Sequence, residues 1–68
     1  MNKITIIVEK TNTGFSAYAQ DYDFVTTGID WETLQYNILE AANLYFEDQG
    51  INIQLNDLDL ILEMSEIS

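Results

Sequence analysis

Apolar residues recur along this chain with two different periods, and the change of period marks out its elements. Ile4, Ile6 and Val8 alternate with Lys3, Thr5, Ile7 and Glu9, which predicts a first strand. Ile7 falls among the polar positions, so that face is not expected to be fully solvated. After the turn Thr11-Asn12-Thr13-Gly14, where Asn12 and Gly14 can take positive backbone angles, Phe15, Ala17 and Ala19 share one side of a second strand and Ser16 and Tyr18 the other. Gln20-Asp21-Tyr22-Asp23 interrupts the pattern, and Phe24 to Thr27 form a short third strand that ends at Gly28.

The period then lengthens. Leu34, Ile38, Ala41, Ala42 and Tyr45 follow helical spacing, with Glu40, Asn43 and Glu47 opposite them, which predicts a helix over 31–49. Asp30 is a good N-cap, Ile29 and Leu34 occupy hydrophobic-staple positions, Glu32 suits the first turn, and Gly50 can end the helix in a left-handed conformation. Leu39 and Phe46 flank the apolar stripe, Tyr36 lies further round and Leu44 is off-centre. This breadth is either a wide core face with scattered surface residues or a subunit contact. Ile51, Ile53 and Leu55 then suggest an extended, partly packed connection, broken at Asn56-Asp57.

Leu58, Leu60, Leu62 and Met64 alternate with Asp57, Asp59, Ile61 and Glu63, which favours a fourth strand over a second helix. The tail, 65–68, is expected to fray. The order is therefore strand, strand, strand, helix, strand. Three antiparallel strands make a meander, and the helix carries the chain back so that the last strand lies parallel to the first. The expected fold is α+β: a four-stranded mixed sheet of order 3-2-1-4, one helix on one face, and Thr5, Tyr18, Ile61 and Phe24 on the other.

At 68 residues the chain is expected to be a single domain. Domains of this size bury only about 60% of the surface their unfolded chain exposes, so added support is expected. The chain has neither Cys nor His, which leaves oligomerisation or a partner rather than disulfides or the usual zinc sets. Its hydrophobic fraction of 47% is that of a folding chain, whereas twelve Asp and Glu against Lys3 and Lys10 give a net charge of -10. Such a surface repels nucleic acid and anionic lipid and suits a basic protein or a cation. The apolar run near the start is too short for a signal peptide or a membrane span, so a cytoplasmic location is expected.

Little in the sequence can do chemistry. Gly14, Gly28 and Gly50 are isolated, so there is no phosphate loop, and Ser16, Ser65 and Ser68 have no His or Cys to act with. Asp21 with Asp23, and Asp57 with Asp59, could share a cation such as magnesium, but solvated charge is the simpler account of both pairs. No catalytic residue and no cofactor is assigned.

The residues nonetheless resemble a family. The hairpin from Lys3 to Lys10 and from Gly14 to Ala19, then Val25-Thr26-Thr27-Gly28, then Asn37-Ile38 and Glu40-Ala41-Ala42 in the helix, are similar to HicB-like antitoxins. The resemblance covers about residues 3–47 plus the last strand. It implies a partial RNase H-like domain with this order of elements, which binds and neutralises a small basic RNA-cleaving toxin and forms dimers or tetramers. The sequence departs from the family at Tyr22-Asp23-Phe24, where a Leu-Pro-Gly-Cys turn is usual, and at the helix entry Gly28-Ile29-Asp30. It shows neither a basic patch nor the C-terminal DNA-binding segment, so DNA autoregulation is not expected of these residues.

Two readings follow: an antitoxin-type domain that binds a basic toxin, and an orphan domain that only self-associates. A carboxylate-metal hydrolase is a weaker third. Asp21, Asp23, Asp57 and Asp59 are the partner-binding candidates, and Tyr36, Leu39, Phe46, Tyr18 and Ile7 are the self-association candidates.

Overall fold

A computed structural model describes residues 3–63. Its elements are β1 (Ile4–Thr11), β2 (Gly14–Ala19), β3 (Val25–Gly28), α1 (Trp31–Tyr45) and β4 (Leu58–Glu63), with single 3-10 turns at Glu47–Gln49 and Leu55–Asp57. The four strands form one sheet in the order β3-β2-β1-β4. β1 pairs antiparallel with β2, β2 antiparallel with β3, and β4 parallel with β1, so the α+β fold has the expected topology. Met64 and the tail expected to fray lie outside the described residues.

The core lies between α1 and one face of the sheet. Ile4, Ile6, Val8, Ala17 and Ala19 from the strands meet Leu34, Ile38, Ala42 and Phe46 from the helix, and Ile53 and Leu58 complete the cluster. Ile6, Val8, Leu34 and Ile38 are its largest fully buried side chains. Burial of each contributes roughly 1.5–3 kcal/mol.

Two glycines allow the layers to approach. A methyl group at Gly28 would sit 2.6 Å from both Cα and N of Leu34, so the first turn of the helix rests directly on the strand. A methyl at Gly14 would sit 2.3 Å from the Gly28 carbonyl oxygen. Gly14 is also where the hairpin leaves regular strand geometry, with φ of 154°. Asn12, expected to share that role, keeps a negative φ. β1 is longer than its apolar alternation, running on to Thr11 because Glu9, Lys10 and Thr11 pair with Ser16, Phe15 and Gly14. Backbone pairing extends a hairpin whatever the side chains are.

The helix begins as expected, with Asp30 Oδ1 accepting a hydrogen bond from the Thr33 amide at 2.7 Å. The hydrophobic staple does not form, because Leu34 is drawn wholly into the core while Ile29 stays 76% exposed. Nor does one helix run over 31–49. α1 stops at Tyr45, and the 3-10 turn leads to Gly50, which is left-handed at φ 70°.

At that end the inward residue is Phe46 rather than Tyr45. Phe46 continues the four-residue row of Leu34, Ile38 and Ala42 and is 6% exposed, whereas Tyr45 is 41% exposed. Asn43, expected to face solvent, is half-buried. Its amide nitrogen donates to the carbonyls of Leu39 (2.9 Å) and Ile53 (3.0 Å), and its oxygen accepts from the Ile53 amide at 2.8 Å. This clasp holds the extended return segment with Ile53 buried.

Phe24, expected on the open face, lies elsewhere. It precedes β3 and turns to the helix side, where its ring lies 5.3 Å from that of Tyr45. Tyr22 reaches the same place, 5.0 Å from Phe46 and 5.9 Å from Tyr45. The turn that departs from the HicB-like pattern is thus pinned to the end of the helix by aromatic contacts.

Candidate functional site

The face of the sheet away from α1 is set by the register of the strands. Val25 pairs with Tyr18, Tyr18 with Ile7, and Ile7 with Ile61, so four apolar side chains line up across all four strands. Val25 is 69% exposed, and Tyr18 and Ile61 are each close to half exposed. On one side of this line run Thr27, Ser16, Glu9 and Glu63, again in register. On the other, Thr5 pairs with Asp59. An apolar strip is therefore bordered by polar rows, with its carboxylates gathered on β1 and β4.

The acidic candidates fall into different surroundings. Asp21 and Asp23 are exposed in the β2–β3 turn, and Asp59 is exposed on β4. Because β4 runs parallel to β1, that turn and the start of β4 share one end of the sheet, where the Gln20 amide donates to the Thr5 carbonyl at 2.9 Å. Asp57 is different: it is half-buried, and its Oδ2 accepts from the Gln54 amide at 3.0 Å. Its carboxylate closes the 3-10 turn before β4 and is less available to a partner than expected. Among the described residues, no three carboxylates come together as a metal site would require.

The self-association candidates divide as well. Tyr18 and Ile7 are register partners on the open face. Tyr36 projects from the outer side of α1 at 67% exposure. Leu39 is half-buried against the core, and together with Tyr36 and Leu55 it lines a shallow apolar cleft of about 240 Å³. Phe46 belongs to the core and offers nothing to a partner, a correction that follows from the four-residue row along α1.

Val25 belongs to the open strip although its place there is not visible in the sequence. A strand of four residues shows its alternation too briefly to say which side is which; only its register against Tyr18 does. The juxtaposition of Glu9 with Glu63 was hidden too, since more than fifty intervening residues separate them and only the parallel pairing brings them together.

A second cleft, about 380 Å³, opens at the other end of the sheet between Thr11, Thr13, Phe15, Thr27, Thr33 and Asn37. Asn37 Nδ2 donates to the Thr27 carbonyl across its floor at 2.8 Å, joining helix to edge strand. The lining holds threonine hydroxyls and an amide and no titratable side chain.

Comparison with protein family profiles, curated proteins and solved structures gives no match to this chain. Among the described residues, no helix is long and apolar enough to cross a membrane.

Proposed function

We propose that this chain is a HicB-like binding domain of the antitoxin type, which associates with a small basic RNA-cleaving toxin in the cytoplasm and performs no catalysis itself. The observation that supports the reading is the β-β-β-α-β order with β4 added parallel to β1 at the edge of the sheet, the order of elements the resemblance implies. A net charge of -10 supplies long-range attraction for a basic protein and repels nucleic acid.

A self-associating domain with some other target is the second reading. It is favoured by the open apolar strip of Val25, Tyr18, Ile7 and Ile61.

Co-expression with the adjacent open reading frames, purification through a tag on this chain, and mass measurement of the eluate separate the two. Recovery of a small basic protein whose toxicity this chain suppresses is the outcome expected of an antitoxin. A homo-oligomer with no such protein in any preparation overturns that reading and leaves the second.

A further inference from the structure

We propose that a basic, extended segment of the partner joins the sheet as a fifth strand along the free edge of β4. The proposal builds on a basic protein partner and names where, and in what conformation, it docks.

Four observations lead to this edge. β4 is the outermost strand, and among the described residues no backbone hydrogen bond reaches its side away from β1. An unpaired edge is a template for strand addition. On the open side β4 presents Asp59, Ile61 and Glu63, and Glu63 stands in register beside Glu9. Like charges directly opposed on a sheet are unfavourable, and a cation on the outer neighbour of β4 pairs with Glu63 and relieves part of that repulsion. Lys10 does not supply that cation, since it alternates to the opposite face, where its ammonium lies 5.7 Å from the centre of the Phe15 ring.

The helix side of β4 calls for the opposite chemistry. α1 comes closest to β3 and β2, which leaves Leu60 half-buried and Leu62 45% exposed. An incoming strand therefore meets two carboxylates flanking Ile61 on one face and leucines on the other. Its complement alternates Lys or Arg with apolar residues.

The same charges disfavour the self-pairing of this edge that would bring its apolar centres together. In the antiparallel register that sets Ile61 against Ile61 of another copy, each Asp59 faces a Glu63. The other edge, β3, has no charged residue in Val25–Gly28 and makes no such discrimination.

The test is an NMR titration of the full chain with a short peptide of alternating lysine and valine. Controls are the glutamate-valine peptide and a version N-methylated on the alternate amides that would face β4. Hydrogen exchange is followed at the outward amides of β4. Protection there by the lysine peptide alone is expected. Asp59→Lys combined with Glu63→Lys is expected to weaken binding by about tenfold or more, and the charge-matched pair Glu40→Lys on α1 with Glu47→Lys in the 3-10 turn after it to change it little. All four positions are exposed, and retained amide dispersion checks that the variants fold.

Equal loss in both variants overturns the proposal, since diffuse electrostatics then suffice. Undiminished binding of the N-methylated peptide, or no protection of β4, overturns it as well. Concentration-dependent protection of β4 in the protein alone assigns the edge to a second copy and overturns it too. None of these results bears on whether a basic toxin co-purifies, so the docking site and the antitoxin reading fail separately.

Discussion

The two faces of this sheet are made by the same strands and end in opposite conditions. Ile6 and Val8 are sealed beneath Leu34 and Ile38, whereas Ile7 between them and its neighbours Tyr18 and Ile61 are left partly in water. One helix can roof one face only. In so small a chain, stability is concentrated on the roofed side, and the open side is left for contacts with other molecules.

The sharpest way to break this contrast is to open the roofed side. Ile38→Ala is expected to cost about 3 kcal/mol in urea unfolding, a large part of the total stability of a domain this size. Gly28→Ala attacks the same seam from the strand. Its methyl collides with the Leu34 backbone, which cannot swing aside as a side chain can, and a loss of about 2 kcal/mol is expected. Asn43→Ala is expected to cost about 1–2 kcal/mol by freeing the Ile53 amide and carbonyl, with faster hydrogen exchange first in the return segment.

Ile61→Thr on the open face is expected to change stability by less than about 1 kcal/mol. If it matched Ile38→Ala, the open face would be part of the core and the contrast would fail. The smallest effect concerns the helix start. The Thr33 amide, and then the Thr33 side chain, hold the Asp30 carboxyl below its ordinary pKa. Its contribution is therefore complete at neutral pH and is lost as the pH falls through the usual aspartate range to the lowered folded value. The difference in melting temperature between the parent and Asp30→Ala should narrow steadily on acidification.

Much of this architecture was legible because strand alternation and helix capping are local signals. Ile4, Ile6 and Val8 identify their buried side within five residues, and Asp30 announces the helix by its position alone. Asn43 was not legible, because an amide on a helix has the same spacing whether it meets water or the backbone of Ile53 ten residues later. The end of the helix was obscured for a related reason: Tyr45 and Phe46 are adjacent aromatics, and which one turns inward depends on the row begun at Leu34. The candidate surface was legible in its charge and not in its layout. Which carboxylates stand side by side is decided by register, as Glu9 and Glu63 show.

The parallel pairing of β4 with β1 also has a kinetic consequence. Every other strand contact joins neighbours along the chain, whereas Ile4 meets Leu58 only after nearly the whole of the described chain has been looped back. Closing that loop is the costliest entropic step in assembly, so the meander and helix are expected to form first and β4 to dock last. By the same token β4 is the strand expected to detach most readily. A molecule in which it has done so uncovers the edge of β1, exchanging one template for another on the strand that the four-stranded sheet keeps inside.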